Sequence, residues 1–256
     1  MIVDGGMDMI KSVEKAMRIM DYVAKHKGIP VTLTDISVNL GIHVATCSHL
    51  VETLCSMQYL EKKSRNSGVI IGPAAHALST PYVYRQDLLH IAVPYMRELC
   101  TTIQENVVIS TYSNGTMYVP YTMYYRNGRI TGKATVKGKL LGSATGPLIL
   151  AYLNPLDRAA TINNLPAEDE TRKQYISQQT KYDIIFQRIC REGVHMIAEE
   201  GSCYGALACP IFGKIGLVAA LGINMPIERF CGEHLEDALA QTKKTAARIS
   251  QILHEK

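Results

Sequence analysis

The chain has no tryptophan and only 3 phenylalanines among 256 residues, so its apolar cores must be built from aliphatic side chains and from 14 tyrosines. It has no apolar run near the roughly 18 to 20 residues of a membrane-spanning helix. The longest candidates, 140–153 and 215–226, are broken by Gly, Pro and polar residues. Seven cysteines, Cys47, Cys55, Cys100, Cys190, Cys203, Cys209 and Cys231, form no C-x-x-C pair. That argues against zinc-finger and dithiol motifs and points to reduced thiols in a cytoplasmic protein. Residues 1–10 hold Asp4 and Asp8 and no basic residue before the apolar positions, unlike a secretory leader. No charge of one sign dominates: the net +4 suits a nucleic-acid partner without demanding one. No cofactor or metal is expected. His195 and Glu199 would stand one helical turn apart, yet no third ligand lies near them.

What is present concentrates in residues 32–72. Thr34-Asp35-Ile36-Ser37-Val38-Asn39-Leu40 reads as a short helix, stopped by Gly41-Ile42-His43. A second helix runs from Val44-Ala45-Thr46 to Met57, then come Tyr59-Leu60-Glu61-Lys62-Lys63, a turn at Asn66-Ser67-Gly68, and the strand Val69-Ile70-Ile71. Helix, glycine turn, helix and basic hairpin in this order make a winged helix-turn-helix. At about 100° per residue, Cys47, Leu50, Val51, Leu54 and Met57 share an inner face. Ala45, Ser48, His49, Glu52 and Ser56 point the other way. Ser48 and His49 offer hydrogen bonds to base edges, and Ala45 a methyl to pack on thymine. Thr34, Val44 and Thr46 stand beside them, where Thr46 can cap the helix or reach a phosphate. Lys62, Lys63 and Arg65 charge the wing. Residues 1–80 carry eight Lys and Arg against seven Asp and Glu, so one copy should hold bulk DNA weakly and a dimer would double the contacts.

A helix over 12–27, with Ser12 as cap and Val13, Ala16, Met20 and Val23 inward, precedes this module. After it, 84–105 reads as a long helix interrupted at Pro94. Strands then follow: Val107 to Tyr112, a turn at Asn114-Gly115, Met117 to Tyr121, and a further turn at Asn127-Gly128. Helices are expected over 145–153, 155–163 and 168–192, a second hairpin over 204–224, and a closing helix over 233–253. The whole is an α+β chain: residues 1–72 as the winged domain, 73–90 as a linker helix, and 91–256 as a sheet flanked by helices. An enzyme would need a nucleophile with a base. Cys203 and Cys209 lie near His195 in sequence, but no oxyanion hole or elbow motif accompanies them, so the chain reads as a non-enzyme.

The order of these pieces resembles the IclR family of bacterial transcriptional regulators over essentially the whole chain. The residues that carry the likeness are Ser12-Val13-Glu14-Lys15-Ala16, Gly41-Ile42-His43-Val44-Ala45-Thr46, Gly72 at the end of the wing, and Gly146-Pro147-Leu148-Ile149-Leu150-Ala151. The last is similar to the family's Gly-Lys-Ala-x-Leu-Ala helix. Glu199-Glu200, Ala208-Cys209-Pro210-Ile211-Phe212 and Val218-Ala219-Ala220-Leu221 complete it. The resemblance implies a GAF-like C-terminal domain that binds a small effector and joins dimers into tetramers. It implies a regulator, taken here as a repressor of a catabolic operon, that senses a small organic acid, a sugar-derived compound or an aromatic metabolite. It would place effector contacts at Ser143, Ala144, Thr145, His195, Ala206 and Asn224.

The chain departs from the family at both sites. Val44-Ala45-Thr46 stands where Lys-Ser-Thr is usual, and His49 where an Arg is common. In the pocket, Ala206 replaces a frequent thiol, Gly222 and Asn224 replace serines, and His195-Met196-Ile197 occupies a stretch that often holds a carboxylate. Ser143, Thr145 and the backbone N–H groups at that helix start remain candidates for a carboxylate. Tyr112, Tyr118, Tyr121, Tyr124 and Tyr125 suit either an aromatic effector or ordinary strand packing. The alternative is a winged helix that docks on protein, joined to a degenerate sensor domain without a ligand.

Overall fold

Ile19 and Val23, one turn apart, bury the inner face of helix α1 (Lys11–Lys25). The computed structural model describes residues 10–62, 68–79, 85–133, 140–198 and 201–255. It divides into two units, Met1–Val83 and Tyr84–Lys256. In the first unit Ala16 and Met20 flank the buried stripe of α1, whereas Val13, expected inward, is 57% exposed. Ser12 lies inside the helix, whose N-cap is Ile10. Helix α2 (Leu33–Leu40) starts on a capping box. The Thr32 hydroxyl accepts from the Asp35 N–H at 3.2 Å, and the Asp35 carboxylate accepts in return from the Thr32 N–H. Gly41, at φ 62°, ends α2, and the buried Ser37 hydroxyl donates to the Ile42 carbonyl at 2.7 Å. That bond locks the turn into helix α3 (Val44–Ser56).

The N-cap of α3 is His43, whose Nδ1 accepts from the Ala45 N–H at 3.4 Å; the capping role expected of Thr46 falls to it. Cys47, Val51 and Leu54 are buried on α3, with Leu50 half-buried beside them. Met57, expected on this stripe, caps the helix end and is exposed. The wing is β1 (Leu60–Lys62) paired antiparallel with β2 (Val69–Ile71), and Val31 bridges to Val69 to close the module. At Gly72 a Cβ would fall 2.3 Å from the Gln58 carbonyl oxygen, so only glycine lets the chain leave the wing this close to α3. Helix α4 (Pro73–Ser79) follows and packs on β1.

The second unit begins with helix α5 (Gln86–Ile103), which runs uninterrupted through Pro94. Strands β3 (Asn106–Ser113), β4 (Thr116–Arg126) and β5 (Arg129–Lys133) come next. Their hairpin turns, Asn114-Gly115 and Asn127-Gly128, have positive φ at both residues, as two-residue hairpins prefer. Helices α6 (Thr145–Tyr152), α7 (Pro155–Asn163), α8 (Glu170–Ser177) and α9 (Gln179–Glu192) follow. The single helix expected over 168–192 breaks at Gln178, where φ is −126°. Strands β6 (His195–Ala198), β7 (Tyr204–Gly213) and β8 (Gly216–Pro226) precede the closing helix α10 (Gly232–Glu255).

Among the described residues these strands form one six-stranded antiparallel sheet in the order β5-β4-β3-β8-β7-β6. Strand alternation divides the apolar side chains between two cores. Val107, Ile109, Leu221 and Ile223 face α5 and α10. Ala208 and Ala220 face α6 and α9 with Leu148, Phe186 and Ile189. Glu105, 4% exposed, has its Oε1 at 2.9 Å from both Arg229 Nε and His234 Nε2. It pins the α5–β3 junction to the turn after β8 and to the start of α10. No helix among the described residues is long and apolar enough to cross a membrane.

Candidate nucleic-acid interface and cavity

Because Cys47, Val51 and Leu54 hold α3 to the core, the opposite face of the helix is outward. Val44, Ala45, Thr46, His49 and Glu52 are exposed, Ser48 is half-buried, and Thr34 on α2 is exposed beside them. Lys62 is exposed at the end of β1. Lys63 and Arg65 lie outside the described residues. The Ser48 hydroxyl stands 3.5 Å from Glu52 Oε1, so its hydrogen is turned along the helix toward a carboxylate. This face offers hydroxyls, an imidazole and one methyl to base edges, and its one described wing cation to a phosphate.

In the second unit a cavity of about 430 Å³ lies between the sheet and the start of α6. The sheet side comes from alternate residues of neighbouring strands: Val108 and Ser110 on β3, Gly222 and Asn224 on β8, and Ala206 on β7. Registers Val108↔Gly222 and Ala206↔Asn224 put these on one face. Strand β4 adds Thr122 and Tyr124, and Ile197, Ser202 and Tyr204 close another side. Ser143, Ala144 and Thr145 make the wall at α6. Five of the six anticipated residues therefore line one space.

The exception is His195. It is buried and pairs with Ala208 on β7, and its Nδ1 lies 3.0 Å from the Ala144 carbonyl oxygen. A carbonyl only accepts, so Nδ1 carries the hydrogen. Burial, the largest cause, pushes its pKa below the ordinary 6.5; the bond to Ala144 opposes this and Arg188 adds to it. The side chain braces the wall without reaching the cavity.

The α6 wall is tightly held. Ser110 donates to the Thr145 hydroxyl at 3.0 Å, and the Gly146 N–H donates to Ser143 Oγ at 3.0 Å. At Gly222 a Cβ would meet Thr145 Cγ2 at 2.8 Å and Val108 Cγ1 at 3.0 Å, so α6 reaches the sheet only because β8 has no side chain there. Asn224 Oδ1 is enclosed and has no hydrogen-bond partner. The sequence singles out the α6 and late-hairpin walls and raises Tyr124 among the β4 tyrosines, but not Ser110 on β3 or Thr122 on β4. Period-two alternation from Val108, across its pair Thr122, was the available signal. Tyr121 and Tyr125 pack on the α5–α10 side and Tyr112 in the α6–α9 core, so of these tyrosines Tyr124 is the one that lines the cavity.

A larger hollow, about 530 Å³, lies beneath the β7–β8 turn and includes Arg85, Asp87 and Lys214; none of the anticipated residues is there. A pairing of His195 with Cys209 is ruled out by strand alternation: Ala208, paired with His195, faces α6, and Cys209 faces α5 and α10. Burial also pushes the Cys209 thiol up to about 12. Among the described residues no three His, Cys, Asp or Glu are placed to hold a metal.

Comparison with known proteins agrees with both halves. The family described as the IclR helix-turn-helix domain matches residues 12–64, and that described as the bacterial transcriptional regulator IclR C-terminal matches 80–251. The HTH-type transcriptional regulator BhcR of Paracoccus denitrificans is 22% identical over 241 residues, covering 93% of this chain and 85% of its own. The HTH-type transcriptional repressor AllR of Escherichia coli is 22% identical over 247 residues, covering 95% and 90%. An IclR homologue from Microbacterium hydrocarbonoxydans, solved with 4-hydroxybenzoate, superposes with a TM-score of 0.71 at 17% identity, covering 94% of this chain and 98% of that one. Helix-turn-helix, six-stranded sheet and matched segments in one order mean that the chain is a DNA-binding transcriptional regulator, not an enzyme, and belongs to the IclR family.

Proposed function

We propose that the chain is a cytoplasmic, one-component regulator that represses a catabolic operon until a small molecule enters the cavity beside α6. It reads a pseudo-palindromic operator as a homodimer, or as a tetramer of two dimers. The two α3 helices enter successive major grooves about one helical turn apart, or a multiple of it. Ala45, Ser48 and His49 contact bases, Thr34, Val44 and Thr46 stand at the backbone, and the wing residues Lys62, Lys63 and Arg65 hold phosphates. The carrying observation is that five residues anticipated from the sequence line one cavity in a chain whose α3 face is exposed. Repression is inferred from the similar transcriptional repressor AllR, and ligand binding from the Microbacterium homologue solved with 4-hydroxybenzoate. An effector acts by binding one arrangement of the paired domains better than another.

A second reading, docking on protein, is favoured by Glu52 on the outward face and by the turn of Ser48 toward it. The two readings part in one experiment. Purified protein is mixed with a fragmented bacterial genome at moderate salt and the bound fragments are sequenced. A few intergenic sites with a shared two-fold motif are expected, and His49→Ala should narrow the preference for them over mutated sites. Equal preference in both proteins refutes the base contact assigned to His49; no enrichment at all, with or without metabolite extracts, favours the protein partner.

A further inference from the structure

The proposed docking of α3 on DNA leaves one exposed side chain at the helix start without a part, and on that docking the structure gives it one. His43 ends the turn between α2 and α3, and the turn holds its backbone on both sides. Gly41 sets the bend at φ 62°, Ile42 is buried, and the Ile42 carbonyl accepts from the buried Ser37 hydroxyl at 2.7 Å. Beyond it, the His43 carbonyl accepts from the Cys47 N–H at 2.9 Å and so opens the helix. The ring is oriented as well. Its Nδ1 accepts from the Ala45 N–H at 3.4 Å as the cap of α3. An imidazole nitrogen that accepts carries no hydrogen, so in this neutral ring the hydrogen sits on Nε2. The residue is exposed, and Nε2 lies across the ring from the capping nitrogen. Val44, which follows, is apolar and exposed and has no side-chain hydrogen of this kind to give.

We infer that His43 is a DNA-backbone contact: its Nε2–H donates to a phosphate at the edge of the groove that α3 enters, while its Nδ1 caps the helix. The first turn of a reading helix comes within reach of phosphates as its leading side chains meet the bases. The cap and the pinned backbone orient the ring before DNA arrives, so little ordering is left to offset the new bond. The donor is uncharged. It adds a hydrogen bond to a charged group without the counterion release that a wing cation such as Lys62 brings. One ring thereby ties a phosphate to the first turn of α3, which fixes how far the helix sits along the groove.

The test uses the full chain and a random-sequence duplex, since a phosphate contact needs no particular operator. Affinity is read by fluorescence anisotropy on a duplex of about 30 base pairs, in salt from about 50 to 200 mM, and folding by the melting midpoint. Serine is a good N-cap but too short to bring a hydrogen to where Nε2 stands. His43→Ser should therefore keep the wild-type midpoint, lose about tenfold in affinity, and leave the slope of log affinity against log salt unchanged. His43→Ala, which removes cap and contact together, should lose both midpoint and affinity. A ring that only caps would let serine restore binding along with stability, so wild-type affinity in His43→Ser overturns the inference. A shallower salt slope in that variant would make the ring a bound cation and overturn it too. So would a lower midpoint in His43→Ser or an unchanged one in His43→Ala, since either would remove the cap from which the hydrogen on Nε2 was assigned. Lys62→Ala is the control for the docking itself and should weaken binding and flatten the slope. If it does and His43→Ser changes nothing, only this contact fails; if neither variant changes affinity, the docking fails with it.

Discussion

Gly222→Ala adds one methyl where β8 meets α6, and the surroundings set what it does. The new carbon would lie 2.8 Å from Thr145 Cγ2, 3.0 Å from Val108 Cγ1 and 3.3 Å from the Leu207 carbonyl oxygen. Thr145 is β-branched and its hydroxyl accepts from Ser110, so it cannot rotate aside without breaking a buried bond. The Leu207 oxygen belongs to the neighbouring strand and cannot withdraw. Overpacking of this kind costs about 1–3 kcal/mol, while removing a strand glycine contributes about 0.5–1 kcal/mol in the other direction. Taken at the middle of each range, the net loss is about 1.2 kcal/mol, a fall of roughly 2–5 °C in melting midpoint for a domain of this size. Calorimetry of wild type and variant measures it. Ser110→Ala in the same background frees Thr145 to move, so the two changes should cost less together than their sum. An unchanged or raised midpoint for Gly222→Ala would show that α6 is not pressed on β8, and the account of the cavity wall would fall with it.

His195→Gln tests the brace behind Ala144. The pKa of His195 lies below 6.5 in the fold, so the unfolded chain takes up the proton more readily. The wild type should therefore lose stability as pH falls below 6.5, and the stability it holds over His195→Gln should shrink between pH 7.5 and 5.5. Parallel pH profiles from denaturant titrations would refute this. Thiol titration with Ellman's reagent should modify exposed Cys190, Cys203 and Cys231 first, and Cys47, Cys100 and Cys209 only on unfolding. Burial lifts Cys100 to about 11 and Cys209 to about 12, and rapid loss of these thiols would contradict the packing of the sheet.

The winged module was largely legible because its signals are local. Gly41 requires a left-handed turn, and Cys47, Val51 and Leu54 repeat at the helical period. The hairpins were equally plain from Asn114-Gly115 and Asn127-Gly128. Where the reading slipped, tertiary contacts decide. Val13 has the right period but is 57% exposed, and the closing helix buries Ala238, Thr242 and Ser250 beside its half-buried Leu235, Leu239 and Leu253. Buried Thr242 and Ser250 satisfy their hydroxyls on carbonyls one turn back, at 2.7 Å each, which no apolar pattern reveals. Strand β6 went unseen because four residues show too little alternation. The cavity was half visible: its α6 wall is a continuous motif, but Val108, Thr122 and Tyr124 come together only through strand register.

Strand β8 is a partition one residue thick. Its even positions, Gly222 and Asn224, belong to the cavity, and its odd ones, Leu221, Ile223 and Met225, are the bed on which α5 and α10 rest. Such a partition has no private side. Widening the even positions for a different guest moves the bed, and repacking the odd positions reshapes the guest's room. If the cavity holds the effector as proposed, a lineage that retunes it must also readjust the seating of α5 and α10, and compensating changes should therefore arise in pairs across this strand.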